Sequence, residues 1–163
     1  MTRERSTPRE SGKQGRGANR AACMASPVPL EHFPGIPYEY TEVLKSKGIA
    51  SSACFLQMTR SDKQCTSLAG STGIPENRIR EILALCDLAR IRGMGPKVAR
   101  GFYQAGIRSV RQLAGADIRS MCTRLHNVSG AGSGANPAPG LREMEEFIRC
   151  AGIIAAIDRK EQS

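Results

Sequence analysis

The sequence is poor in aromatic residues: its 163 residues include no tryptophan, three tyrosines and four phenylalanines. It also lacks sustained alternation of β-branched and polar residues, which is the usual signature of half-buried strands. Apolar residues instead recur at a spacing of three to four, as they do along one face of a helix. The sequence therefore predicts an all-α fold.

Long hydrophobic runs are missing as well. No apolar stretch approaches the roughly 20 residues of a membrane span, and residues 1–20 carry charge without the apolar segment of a signal peptide. The six cysteines contain no C-x-x-C pair and no neighbouring histidine cluster. This pattern favours neither a zinc site nor a disulfide framework. We expect a reduced, cytoplasmic protein without a metal or a membrane partner.

Recognisable catalytic patterns are absent too. His32 and His126 are isolated, and the carboxylates of residues 143–146 are expected on a solvated helix face. Residues 93–98 lack the third glycine of a dinucleotide-binding motif, and the glycines of residues 130–134 are not followed by the Lys-Ser/Thr of a P-loop. We expect a non-enzymatic protein without a cofactor.

Positive charge is abundant and concentrated in one region. Of a net charge of +9, residues 88–124 contribute +7, because they carry eight Lys and Arg residues against Asp117 alone. Residues 1–23 contribute +4, while residues 24–87 and 125–163 each contribute −1. A concentrated basic segment of this kind is typical of proteins that bind polyanions.

Composition also divides the chain. Residues 1–26 are rich in Arg, Ser, Gly and Thr and predict a disordered basic tail, in which Met24 is an alternative start. Residues 27–163 are expected to fold. Within them, we predict a linker over residues 129–140 and an amphipathic C-terminal helix over residues 141–157.

The predicted domain contains an internal repeat at a displacement of 58 residues. Matched apolar and glycine positions recur in both copies. The pairs are Leu30 and Leu88, Phe33 and Ile91, Gly35 and Gly93, Leu44 and Phe102, Gly48 and Gly106, Ile49 and Ile107, and Phe55 and Leu113. The fold that we predict is therefore two packed two-helix units followed by the C-terminal helix.

A tight turn with an exposed helix start is predicted in the second copy. Glycines 93 and 95 permit a reversal that requires positive φ, and Met94 between them is expected to point into the core. A helix that opens at Pro96 presents unpaired N–H groups at the positive end of its dipole, where anions bind. The candidate anion-binding residues are Arg92, Gly93, Met94, Gly95, Lys97, Val98 and Arg100.

This segment resembles a known motif. The pattern Leu88-x-x-Ile91-x-Gly93-Met94-Gly95-Pro96-x-x-Ala99 is similar to the helix-hairpin-helix motif of DNA repair and replication proteins. The resemblance implies sequence-independent binding of the sugar-phosphate backbone by the amides of the hairpin.

A longer stretch, residues 40–153, resembles the DUF4332 family of paired hairpin domains, which has no established reaction. The residues that carry this second resemblance are Lys47-Gly48-Ile49, Leu68-Ala69, Thr72-Gly73-Ile74, Asp87-Leu88, Ile91, Gly93-Met94-Gly95, Gln104-Ala105-Gly106-Ile107, Ser109-Val110, Leu113-Ala114, Phe147-Ile148 and Ala151.

Three functions are compatible with these features. The favoured one is a protein that binds the backbone of DNA, with RNA as an alternative ligand. The second is a protein–protein adaptor that docks through residues 30–56, and the least favoured is a subunit whose active site lies on a partner chain. Tyr38, Tyr40 and Phe55 have the spacing of core residues, although aromatic side chains can also stack on bases.

Overall fold

The computed structural model describes residues 22–131 and 138–162. These residues form eight α-helices and no strand, so the predicted all-α fold is confirmed. A short 3-10 turn, Leu30–His32, precedes the helices. The helices are α1 (Tyr38–Ser46), α2 (Ser52–Met58), α3 (Asp62–Thr72), α4 (Glu76–Leu88), α5 (Pro96–Gln104), α6 (Val110–Ala114), α7 (Ile118–Ala131) and α8 (Leu141–Gln162).

The sequence repeat is a structural duplication. Helices α1 and α5 begin and end 58 residues apart, and α2 and α6 begin at the same displacement. Gly35 and Gly93 both have a φ of 86°, ahead of the first helix of each copy. Ser51 and Ser109 cap the second helix of each copy, where their side chains accept a hydrogen bond from a backbone N–H. Local sequence therefore specifies the same backbone twice.

The turn that follows the first helix is also repeated. Gly48 and Gly106 have φ values of 81° and 97°, a left-handed conformation that glycine adopts without steric cost. The N–H groups of Ile49 and Ile107 each donate to a carbonyl five residues earlier, at 2.9 Å. Both isoleucines are thereby placed in the core, where each is 2% exposed.

Each copy buries its apolar face against a longer helix. Helix α2 packs on α4, and α6 packs on α8. Phe102 of α5 meets Phe147 of α8 edge to face, with ring centroids 6.0 Å apart. Phe55 is fully buried, which confirms the core prediction for this residue, whereas Tyr38 is 68% exposed, so that prediction is wrong for Tyr38.

The structure changes three predicted boundaries. Cys23 is fully buried, and the segment around it pairs with the second copy: the N–H of Ala25 donates to Arg90 O and that of Arg92 to Cys23 O, both at 2.7 Å. The tail predicted over residues 1–26 therefore extends too far along the chain, because it includes residues that pack on the second copy. Residues 1–21 lie outside the described part. Helix α7 continues to residue 131, inside the predicted linker of residues 129–140, and α8 extends to residue 162 rather than 157.

A partly buried ion-pair network joins three helices. The guanidinium of Arg90 bonds Asp87 at 2.8 Å and Asp158 at 2.7 and 2.9 Å, and the other oxygen of Asp87 accepts the N–H of Val110 at 2.8 Å. Burial disfavours the charged form of Arg90 and so lowers its pKa. The hydrogen bonds to Asp158 and Asp87 favour the charged form more strongly, and the pKa of Arg90 is raised above its usual value. The network therefore fixes α4 against α6 and α8.

We predict that Asp87→Ala lowers the free energy of unfolding by roughly 3 kcal/mol, because it leaves Arg90 with one partner and the Val110 N–H with none. Urea denaturation measures this loss. Asp62→Ala is the matched control: Asp62 also pairs with an arginine, but its side chain is 87% exposed, so the cost should stay below about 1 kcal/mol. Equal losses in the two variants would contradict the structural role given to Asp87.

Candidate functional site

The predicted anion site centres on glycine turn 2, defined as residues 91–95. The turn is closed by a hydrogen bond from the Met94 N–H to Ile91 O at 3.0 Å, and Gly93 supplies the positive φ that this reversal requires. Met94 is 2% exposed. Its side chain points into the core, as predicted, and anchors the turn.

Helix α5 begins directly after this turn. Gly95 occupies the N-cap and Pro96 the first helical position, and the N–H of Ala99 donates to Gly95 O at 2.9 Å. The amides ahead of Ala99 belong to the first turn, where a helix provides no carbonyl partner for them. A Cβ on Gly95 would meet nothing within 4 Å, so the backbone here is open to approach.

The candidate side chains divide into two groups. Arg92 and Lys97 are exposed on either side of Gly93 and Gly95, whereas the side chain of Arg100 is only 13% exposed. Val98 is half-buried. The structure therefore brings Arg92 and Lys97 to the open turn but directs Arg100 away from it.

Arg100 instead reaches the first copy. Its Nε donates to Pro34 O at 2.8 Å, and its Nη1 bonds the buried carboxylate of Glu81. Sequence analysis missed this role because Glu81 lies in the middle of a helix that also carries exposed charges. Its burial, at 9% exposure, becomes visible when α4 and α5 are packed together.

Glycine turn 1, defined as residues 33–37, is covered by this arginine. A Cβ on Gly35 would lie 2.7 Å from Cζ of Arg100, and Arg78 Nη2 donates to Gly35 O at 3.5 Å. The space beside the positive-φ glycine is therefore filled by a guanidinium at Gly35, whereas a Cβ at the equivalent Gly93 would make an ordinary contact with Phe147, at 3.5 Å, and one at Gly95 would meet nothing.

The basic segment of residues 88–124 is less uniform than its sequence indicates. Arg90 and Arg100 are paired with acids inside the fold, and the other six basic residues are exposed. Five of those six form no ion pair with an acidic side chain in the described ranges. These five are Arg92, Arg108, Arg111, Arg119 and Arg124.

Residues 22–131 and 138–162 offer neither a metal-ligand cluster nor a membrane-spanning helix. No group of three or more His, Cys, Asp or Glu side chains in this part of the chain is arranged to hold a metal ion. None of the helices described there combines the length and apolar character needed to cross a membrane.

Fold and site together define an all-α protein built from a duplicated two-helix unit. A family model described as a domain of unknown function, DUF4332, matches residues 34–153. The chain belongs to this family, as the resemblance over residues 40–153 predicted. No curated protein and no solved structure matches it.

The covered turn yields a stability prediction. Gly35→Ala should destabilise the fold more than Gly48→Ala, although both glycines have positive φ. In either variant the left-handed alanine costs roughly 1–2 kcal/mol. At position 35 the new methyl must also displace the Arg100 guanidinium, and the loss of its charged hydrogen bonds costs about another 1.5–3 kcal/mol. A Cβ at position 48 meets nothing within 4 Å. Similar thermal denaturation midpoints for the two variants would argue against the close contact between position 35 and Arg100.

Proposed function

We propose that α4, glycine turn 2 and α5 form a helix-hairpin-helix unit that binds the phosphate backbone of nucleic acid without sequence preference and without catalysis. The observation that supports this proposal is the open first turn of α5, flanked by exposed Arg92 and Lys97. DNA is the favoured ligand, with RNA as the alternative.

Two physical effects favour a phosphate at this position. The first-turn amides of α5 point outward along the positive end of the helix dipole, so they bind an anion by geometry as well as by charge. Gly93 and Gly95 add no side chain between the backbone and the ligand. Lys97 adds a flexible point charge, and Arg92 adds a second cation on the other side of the turn.

The same surface offers little for reading bases. Direct readout requires several hydrogen-bonding side chains on one exposed face of a helix. Along α5, Lys97 and Gln104 are exposed, but Arg100 bonds Pro34 O and Glu81 instead. Backbone contacts position a protein on nucleic acid and carry no sequence information. The proposed binding is therefore sequence-independent.

A protein–protein adaptor is the second candidate. Tyr38 lies within residues 30–56 and is 68% exposed, which is typical of a docking residue. Lys45 of the same region pairs with Glu31 at 2.7 Å and Glu42 at 3.8 Å, so this surface offers less unpaired positive charge than the second copy. Under this alternative, Tyr38→Ala would abolish partner binding and the hairpin variants described next would retain it.

We expect Gly95→Glu and Lys97→Glu each to weaken binding to a labelled DNA duplex at least about tenfold, or 1.4 kcal/mol. Each places a carboxylate where the phosphate would sit. Fluorescence anisotropy measures the affinity, and circular dichroism should show unchanged helix content. Lys47→Glu is the matched control for Lys97→Glu, since it makes the same charge change on an exposed residue of the first copy. If both hairpin variants bind with parental affinity, turn 2 is not the contact surface.

We also expect unrelated duplexes of equal length to bind within about threefold of one another, or roughly 0.7 kcal/mol. Affinity should fall steeply with salt, with a slope of about −0.9 per phosphate neutralised. A selection from random sequences checks the first expectation and a salt titration the second. Convergence of the selection on one motif would make the chain a sequence-specific regulator instead.

A further inference from the structure

A second concentration of positive charge lies at the other end of α5. We call it the basic turn and define it as residues 105–109 together with Arg124. Nη1 of Arg124 lies 4.0 Å from the position of a Cβ on Gly106, and Arg108 belongs to the turn itself. Both arginines are exposed. The Arg124 guanidinium therefore lies beside Gly106, and that of Arg108 lies on the Tyr103 ring of the preceding helix turn.

The basic turn is rigidly built. The N–H of Arg108 donates to Gln112 Oε1 at 2.9 Å, and Gln112 Nε2 donates to Gly106 O at 3.1 Å. Nη1 of Arg108 donates to Tyr103 Oη at 2.9 Å, and its guanidinium carbon lies 4.7 Å from the centroid of that ring. The aromatic contact limits the conformations of Arg108, so less entropy is lost when an anion binds.

The equivalent turn of the first copy indicates that the fold does not require these side chains. Gly48 has nearly the same φ as Gly106, and its N–H donates to the carbonyl three residues earlier, as that of Gly106 does. Yet Ala50 occupies the position of Arg108, and Cys54 occupies that of Gln112. The cations of the basic turn are therefore additions to a backbone that forms without them.

We propose that the basic turn is a second phosphate-binding site, which contacts the same nucleic-acid strand as glycine turn 2. This inference rests on the function proposed above. Helix α5 has nine residues and is about 13 Å long, so the sites at its two ends are close enough together for one strand to contact both. Gln104, two turns from Lys97, lies on the same side of the helix between the two sites.

The experiment compares salt titrations of duplex binding by the full chain and by two double variants. Arg108→Ala with Arg124→Ala should reduce the magnitude of the slope of log K against log salt by about 2, because two phosphate contacts are lost. When the salt concentration is raised fourfold, the parent should therefore lose about tenfold more affinity than this variant does. Arg60→Ala with Arg142→Ala removes the same charge from exposed arginines elsewhere and should leave the slope unchanged.

Other outcomes identify which inference fails. If the parent binds and the Arg108/Arg124 variant keeps the parental slope, the second site is wrong and the hairpin site remains. If neither the parent nor any variant binds nucleic acid, the proposed function itself fails. Arg108→Lys with Arg124→Lys keeps the charge and should restore the slope, which separates a lost contact from a folding defect. Competition by polyglutamate as strong as that by DNA would instead assign the turn to an acidic protein.

Discussion

The guanidinium of Arg100 connects the two copies of the repeat, and much of the asymmetry of the molecule depends on it. It lies between the buried carboxylate of Glu81 and the carbonyl of Pro34. Moving two charges out of water is costly, and their attraction often does no more than offset that cost. We therefore interpret this cluster as a constraint on geometry, which sets the position of α5 relative to turn 1, rather than as a large source of stability.

This constraint gives the two copies different surfaces on one backbone. Turn 1 has its carbonyl groups bonded to Arg78 and Arg100, whereas turn 2 keeps Gly95 open at the start of α5. A phosphate that approached turn 1 would have to displace a guanidinium from Glu81 and Pro34. Under the proposed function, the first copy therefore supports the fold and the second copy binds the ligand.

Much of this architecture could be predicted from local sequence. Glycine positions, helix spacing and the repeat of 58 residues identified the all-α fold, the positive-φ turn at Gly93 and the inward direction of Met94. The failures concern contacts between distant residues. Arg100 resembled Lys97 as an exposed cation, because the acid that pairs with it is 19 residues away. Cys23 resembled the polar tail around it, because the backbone groups that pair with it belong to Arg92 and its neighbours.

The basic segment shows why net charge is a weak guide to a binding surface. Its sequence places eight cations in residues 88–124, but a cation that neutralises Asp87, Asp158 or Glu81 adds little field outside the protein. Outside those pairs, exposed cations lie at both ends of α5, with Arg92 and Lys97 beside turn 2 and Arg108 and Arg124 in the basic turn. One end adds backbone amides to its cations, while the other has its backbone groups bonded by Gln112 and offers guanidinium groups alone. Under the proposed function, a short helix held by Arg100 separates two chemically different phosphate contacts by a fixed distance, which is a geometry suited to following a strand rather than to reading its bases.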